Sequence, residues 1–230
     1  MRILAIGPHP DDVEFGCAPL LILETQRGNT VRVAVATRGE AATAGTPEER
    51  ELEAREAAAV LGAEIEFLDL GGDCHIEPTV ANSIRVARLI REFRPNIVLA
   101  PTPEENQHPD HIAISRIVQR AARLARYGGL AEVRDLAPHR IDNLFFFAIT
   151  TVVEGQPDIL IDVSAVHAKW MEAMNCHRTQ VRNKGYVDLV NARARTLGAS
   201  IGVEYAAALW LNDPVRLDAI SDLQLSSRNF

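Results

Sequence analysis

The sequence predicts an α/β fold, a doubly wound and largely parallel sheet with helices on both faces. Two observations carry that expectation. Short apolar runs rich in β-branched or aromatic residues alternate with helix-length stretches across residues 1–150. Gly, Pro, Asn or Asp stands at most of the boundaries between them. Alternation of this kind builds βαβ units, whose right-handed crossovers lay successive strands parallel.

Strands are expected over residues 2–7, 30–37, 64–69, 96–100 and 143–147, and helices over about 14–27, 47–61, 79–93 and 111–126. The first helix ends at Arg27-Gly28 and the second at Leu61-Gly62, where glycine accepts the left-handed conformation that closes a helix. Thr46-Pro47-Glu48-Glu49 reads as a capping box with proline at the first helical position. Pro19 removes an N–H inside the first helix, which is therefore expected to start late or kink. Beyond residue 150 the pattern is less regular. Residues 159–162 read as a strand, Ser164 as the cap of a helix reaching about His177, and residues 188–198 as another helix. Residues 204–211 fit either strand or helix. No linker-like shift in composition divides the chain. It reads as one domain over 1–230, with a core over 1–150 and an extension over 151–230 packed on it.

Composition narrows the function. The 230 residues are 47% hydrophobic and 24% charged, an ordinary globular balance. The net charge of −7 comes without a dense basic run, so a nucleic-acid partner is not expected. Cys17, Cys74 and Cys176 are an odd number without metal-knuckle spacing, which points to reduced thiols in a cytoplasmic protein. The opening MRILAIGPHPDD lacks the apolar run of a signal peptide, and no uncharged run of about 18 residues predicts a membrane span.

In a doubly wound sheet, ligands bind beyond the carboxyl ends of the strands where the strand order reverses. With the order 3-2-1-4-5, the first and fourth strands are neighbours at that point. Pro8-His9-Pro10-Asp11-Asp12 follows the first strand, and a loop ending in His108-Pro109-Asp110-His111 follows the fourth. Topology thus brings two His/Asp clusters face to face. Neither G-x-G-x-x-G nor a P-loop is present, so a dinucleotide or nucleotide phosphate has no cradle. Carboxylates and imidazoles attract a metal dication instead. Two imidazoles and a carboxylate with one open position suit catalytic zinc, which polarises carbonyls and acidifies water. A plainer alternative makes Asp11, Asp12 or Asp110 a helix cap and the prolines mere turn formers. The coincidence of both clusters at the switch point favours a functional site.

These clusters carry a resemblance. Residues 6–17, IGPHPDDVEFGC, are similar to the A-H-P-D-D-x-E-x-G signature of the PIG-L/LmbE-like zinc-dependent N-deacetylases. His108-Pro109-Asp110-His111 is similar to their H-P-D-H. Asp162-Val163-Ser164, with Lys169, Ala173, His177 and Gln180, resembles their D-[IV]-S…K-x-x-A-x-x-x-H-x-[ST]-Q stretch. The resemblance covers most of the chain. It implies a Rossmann-like sheet and removal of an acetyl, or other small acyl, group from an N-acylated amino sugar or sugar conjugate.

Residue by residue, the resemblance implies His9, Asp12 and His111 as ligands of Zn2+ and Asp11 as general base. It further implies that His108 assists the oxyanion or the proton transfer, with Asp110 orienting it. Arg50 matches an arginine that binds substrate hydroxyls in relatives; the alternative is a helix-surface pair with Glu53. His177 matches a family position at which packing and substrate contact are equal alternatives. Relatives are often oligomers, so a homo-oligomer is also implied. Two departures stand out: Ala18-Pro19 replaces a common Gly-Gly, and Tyr205-Ala206-Ala207-Ala208-Leu209 lacks the carboxylate and aromatic of Y-A-E-x-F. Rival readings are an amidase acting on a thiol–sugar conjugate, a non-catalytic sugar- or metal-binding module, and a Rossmann-type dehydrogenase. The presence of Asp11 weighs against the module. Outside the motifs, Arg55 with Glu51 reads as a surface ion pair, and Cys17, Trp170 and Trp210 as core. His75, His139 and His167 read as solvated or locally bonded.

Overall fold

The structure, a computed structural model, describes residues 1–104, 108–149, 155–182, 185–223 and 226. Its strands are β1 (Arg2–Gly7), β2 (Thr30–Val35), β3 (Glu64–Phe67), β4 (Ile97–Pro101), β5 (Asn143–Phe147), β6 (Ile159–Asp162) and β7 (Ala206–Leu211). They form a seven-stranded sheet in the order β3-β2-β1-β4-β5-β7-β6. The first five pair in parallel, as the alternation predicts. β7 lies antiparallel to both β5 and β6, so the sheet is mixed. The ambiguous stretch after residue 204 is therefore a strand, held between two others.

The helices are α1 (Asp12–Gly16), α2 (Ala18–Gln26), α3 (Pro47–Leu61), α4 (Val80–Phe93), α5 (Pro109–Leu124), α6 (His167–Asn175), α7 (Arg178–Val181) and α8 (Tyr186–Ala199). Strand periodicity divides the sheet's side chains between two cores. Ile3, Ala5, Val31 and Val33 share one with Leu21 of α2, Leu61 of α3, Trp170 of α6 and Val190 of α8. Leu4, Ile6, Ala34 and Val98 share the other with Ile90 of α4 and Ile114 and Ile117 of α5. Both faces are covered, as parallel strands require.

Local chemistry sets the boundaries. The expected first helix starts earlier, at Asp12, and breaks at Cys17 (φ −139°, ψ 4°). α2 restarts at Ala18 with Pro19 in its first turn, where the missing N–H has no intrahelical partner to lose. The capping box of α3 forms: Thr46 Oγ1 accepts from the Glu49 amide at 3.2 Å, and Glu49 Oε2 accepts from the Thr46 amide at 2.8 Å. Ser164 caps nothing. Its hydroxyl bonds the backbone of Tyr205, and a 3-10 turn (Ser164–Val166) leads into α6. Cys17 and Trp170 lie in the core, whereas Trp210 is only partly buried. Arg55 pairs with Glu51 at 2.6 Å. His139 bonds the Pro95 carbonyl, His167 stacks on Tyr205, and His75 is exposed. Among the described residues, no helix is long and apolar enough to cross a membrane.

Gly16 ends α1 against the fully buried ring of Phe147 in β5, with which a Cβ would collide. Gly16→Ala is expected to destabilise the fold by about 1–3 kcal/mol through overpacking. At about 2–4 °C per kcal/mol for a chain of this size, a thermal melt resolves the difference. An unchanged midpoint would mean that the ring moves aside without strain.

Candidate metal and active site

The two His/Asp segments meet beyond the carboxyl ends of β1 and β4. Neither Asp11 nor Asp110 caps a helix through its carboxylate. α1 has no side-chain cap, and on α5 the cap is His108, whose Nδ1 accepts from the Asp110 amide at 3.2 Å. The carboxylates are therefore left for one another's neighbours.

His9, Asp12 and His111 converge. His9 donates from Nδ1 to Asp12 Oδ2 at 2.9 Å, and His111 Nε2 lies 3.3 Å from Asp12 Oδ1. One donor atom from each lies within 4.8 Å of the others, and all three residues are buried. Two imidazoles and a carboxylate suit a borderline divalent ion. The far edge of His9 agrees. Its Nε2 donates to Asp73 Oδ1 at 3.0 Å and to Asp110 Oδ2 at 3.1 Å, the outer-shell arrangement that fixes a metal-ligating imidazole. These residues form a metal-binding group.

The Asp110 carboxylate is thus committed to His9 and to the Cys74 amide, at 2.8 Å, and stands 3.9 Å from His108 Nδ1. Asp110 meets His108 in two ways, donating its backbone amide to Nδ1 at 3.2 Å and holding its carboxylate at the 3.9 Å ion-pair distance. Asp11 sits at φ 119°, a left-handed backbone that only a constrained turn imposes on a non-glycine residue. Its Oδ2 lies 3.4 Å from Arg50 Nη2. Arg50 is buried and does not pair with Glu53. It donates to the Pro10 carbonyl at 2.8 Å and to the Gly39 carbonyl at 3.2 Å, while Glu53 accepts from the Thr179 amide and hydroxyl. Gly39 stands at φ 70° with the guanidinium where a Cβ would be, so the turn needs glycine twice over. His177 is 1% exposed, lies outside the cleft lining, and has its Nε2 3.3 Å from Glu14 Oε2. That burial leaves it no surface for substrate, so the packing alternative is the one its geometry fits.

Electrostatics separates the neighbouring aspartates. Burial opposes a charged His9, but the Asp12 charge and hydrogen bonds to Asp110, Asp12 and Asp73 prevail and push the ring up to about 12. Burial also raises Asp12, yet His111 and His9 reverse it and hold that carboxyl well below the usual range. Asp11 moves the other way: burial and the Asp12 charge lift it to about 6, against the pull of Arg50, His177 and His9. Burial and the His9 charge lower His108. One aspartate is a fixed anion and the other titrates near neutrality, the separation that acid–base chemistry uses.

Sequence reasoning passed over Asp73 and Cys74, in the loop after β3. Gly71, Gly72 and Cys74 all have positive φ there, and the glycine pair at the carboxyl edge of the sheet was the available signal. With His9, Asp11, Asp12, Arg50, His108 and His111, these residues line a cleft of about 250 Å3, walled on its apolar side by Phe15, Ile149 and Leu189.

A Rossmann-like sheet with a His/Asp/His group at its switch point defines a class of metal-binding α/β proteins. The chain belongs to the PIG-L family, GlcNAc-PI de-N-acetylase, which matches residues 4–122. A probable N-acetyl-α-D-glucosaminyl L-malate deacetylase of Bacillus cereus is 27% identical over 196 residues, 78% of this chain and 83% of that protein. The diacetylchitobiose deacetylase of Thermococcus kodakarensis is 29% identical over 192 residues, 78% of this chain and 70% of that one. Among solved structures, a conserved protein from Thermus thermophilus is 32% identical with a TM-score of 0.82, covering 94% of this chain and 96% of its own. A 4-carboxy-2-hydroxymuconate hydratase from Pseudomonas putida shares the fold at a TM-score of 0.81 and 22% identity, over 95% of this chain and 99% of that one.

His9 binds its proton more tightly in the folded chain than at its ordinary value of 6.5. Its pairing therefore stabilises the metal-free fold fully below pH 6.5, and that contribution is lost as pH rises toward about 12. A divalent ion on His9 has to displace that proton. Metal uptake near neutral pH should release about one proton per chain, and affinity should climb with pH. Calorimetric titration in two buffers of different ionisation enthalpy reads the proton directly. Equal heats in both would show that His9 starts neutral.

Proposed function

We propose that the protein is a Zn2+-dependent N-deacetylase that removes an acetyl, or other small acyl, group from an amino sugar or sugar conjugate. One observation carries the reading: the His9–Asp12–His111 donor set shares a cleft with an aspartate, Asp11, raised to about 6. Bound there, the ion supplies Lewis acidity, polarising an amide carbonyl and acidifying water. Asp11 takes the proton of the attacking water and returns it to the leaving amine; a carboxyl poised near neutrality serves both transfers. His108 Nδ1 accepts from the Asp110 amide, so the proton of its neutral ring sits on Nε2. On the cleft wall, 3.6 Å from Cys74 Sγ, that N–H is the donor this reading assigns to the developing oxyanion. Arg50 supplies the countercharge to Asp11 and, from the cleft wall, binds sugar hydroxyls. The named deacetylases among the relatives support the substrate class. A cleft of about 250 Å3, just below the usual range of about 300–1,000 Å3, suits a small polar substrate. Three unpaired cysteines support a reducing, cytoplasmic setting.

The direct test is acetate release from N-acetylated amino sugars and their conjugates by zinc-loaded protein, with loss on chelation and recovery on adding zinc. No release from any of them would overturn the reading. Two substitutions separate the aspartates. Asp12→Ala should lose metal and activity together, whereas Asp11→Asn should keep its metal while kcat falls about 10²–10⁴-fold. Metal analysis decides between them: an emptied site in Asp11→Asn and a full one in Asp12→Ala would exchange the two roles.

Arg50→Ala should lower kcat/KM by about 10–1000-fold, or roughly 1.4–4 kcal/mol of transition-state binding. Because the guanidinium lowers the Asp11 pKa, its removal should also move the acidic limb of the rate profile to higher pH. A profile that stays in place would detach Arg50 from Asp11.

A further inference from the structure

We propose that Cys74, His108 and Asp73 form a second, inhibitory site for a thiophilic divalent cation of the Zn2+ or Co2+ type, on the wall of the same cleft. None of the three belongs to the His9–Asp12–His111 group. Cys74 Sγ lies 3.6 Å from His108 Nε2 and 3.5 Å from Asp73 Oδ1, and those two atoms are 3.9 Å apart. Tetrahedral zinc bonds of about 2.0–2.3 Å place donor atoms roughly 3.4–3.6 Å from one another. The triangle therefore closes on one ion with adjustments of a few tenths of an ångström, and its open side faces the cleft.

The donor types set the selectivity. Thiolate with imidazole and carboxylate favours Zn2+ or Co2+ over Mg2+ or Ca2+, which take all-oxygen shells. The loop that carries the thiol is held independently of any ion. The Cys74 amide donates to Asp110 Oδ2 at 2.8 Å, the Asp73 amide to Glu40 Oε2 at 3.0 Å, and the Ala41 amide to Asp73 Oδ2 at 3.2 Å. Occupying the site has a proton balance. The thiol gives its proton to solvent, and the His108 proton moves from Nε2 to Nδ1, where Asp110 Oδ2 stands 3.9 Å away. The Asp110 amide then loses its acceptor on Nδ1, so this site binds more weakly than the first and fills after it.

Inhibition follows because the ion takes His108 Nε2, the donor assigned to the oxyanion; this consequence rests on the deacetylase reading. Metal-free protein titrated with CoCl2 tests the site without any turnover. The expected result is two cobalt ions per chain, with a thiolate-to-cobalt charge-transfer band growing only with the second. Cys74→Ser should bind one ion and show no band, while Cys176→Ser keeps both ions and the band. Saturation at one ion without a band, or a band that survives in Cys74→Ser, would overturn the site. For the inhibition, excess zinc at about ten times its dissociation constant should lower the wild-type rate roughly tenfold and leave Cys74→Ser nearly unaffected. Equal inhibition of both proteins would overturn that role, and a chain that releases no acetate leaves the optical titration to decide the site.

Discussion

Parallel pairing of β1 with β4, registered Ile3 on Ile97 and Ala5 on Leu99, is the contact on which the site depends. β1 has β2 on its other side, so the chain leaving β1 and the chain leaving β4 must cross over opposite faces of the sheet. α2 packs into the core that Ile3 and Ala5 share, and α5 into the one that Leu4 and Ile6 share. Divergence of the two crossovers opens a crevice at the strand ends. His9 to Asp12 form one lip and His108 to His111 the other. Both lips are backbone turns running straight into helices, which places buried polar side chains on rigid supports.

Charge then organises the crevice. Asp12, Asp73 and Asp110 surround one imidazole, all of them buried, and buried anions are costly without a compensating cation. In the metal-free chain that cation is the protonated His9. Replacing its proton by a dication adds one positive charge among three carboxylates, so the same anions that lift His9 also suit it for metal. Asp11 lies just outside this ring, on a turn whose left-handed backbone keeps it apart from Asp12. Its near-neutral titration comes from burial and from its neighbour's charge, only partly offset by Arg50.

The C-terminal third braces this arrangement from behind. Trp170 Nε1 donates to the Glu14 carbonyl at 2.8 Å, and His177 faces the Glu14 carboxylate. Thr179 binds Glu53 of α3, while Gln180 donates to the Ala44 carbonyl at 2.8 Å in the loop that borders the cleft. The motif residues of the 162–180 stretch thus act through α1, α3 and the 41–45 loop. They position groups that meet the cleft and stay out of it themselves, Gln180 excepted.

The sequence by itself determined that the first five strands run parallel, because apolar runs of strand length alternating with capped helices build right-handed βαβ units. It also placed the His9–Asp12 and His108–His111 segments after the first and fourth strands, and the choice of His9, Asp12 and His111 among their residues came from the motif resemblance. Where β6 and β7 lie was decided by the tertiary structure, because antiparallel pairing on an edge depends on partners far along the chain. The same holds for Arg50: Glu53 is near in sequence, yet the guanidinium turns to Pro10, Gly39 and Asp11, which only the packed loops bring to it. Asp73 and Cys74 carry no spacing signal toward His9 or His108, thirty or more positions away. Their roles exist only because the β3 loop folds across the strand ends, where a long-range contact, not a local preference, chooses the neighbours of each side chain.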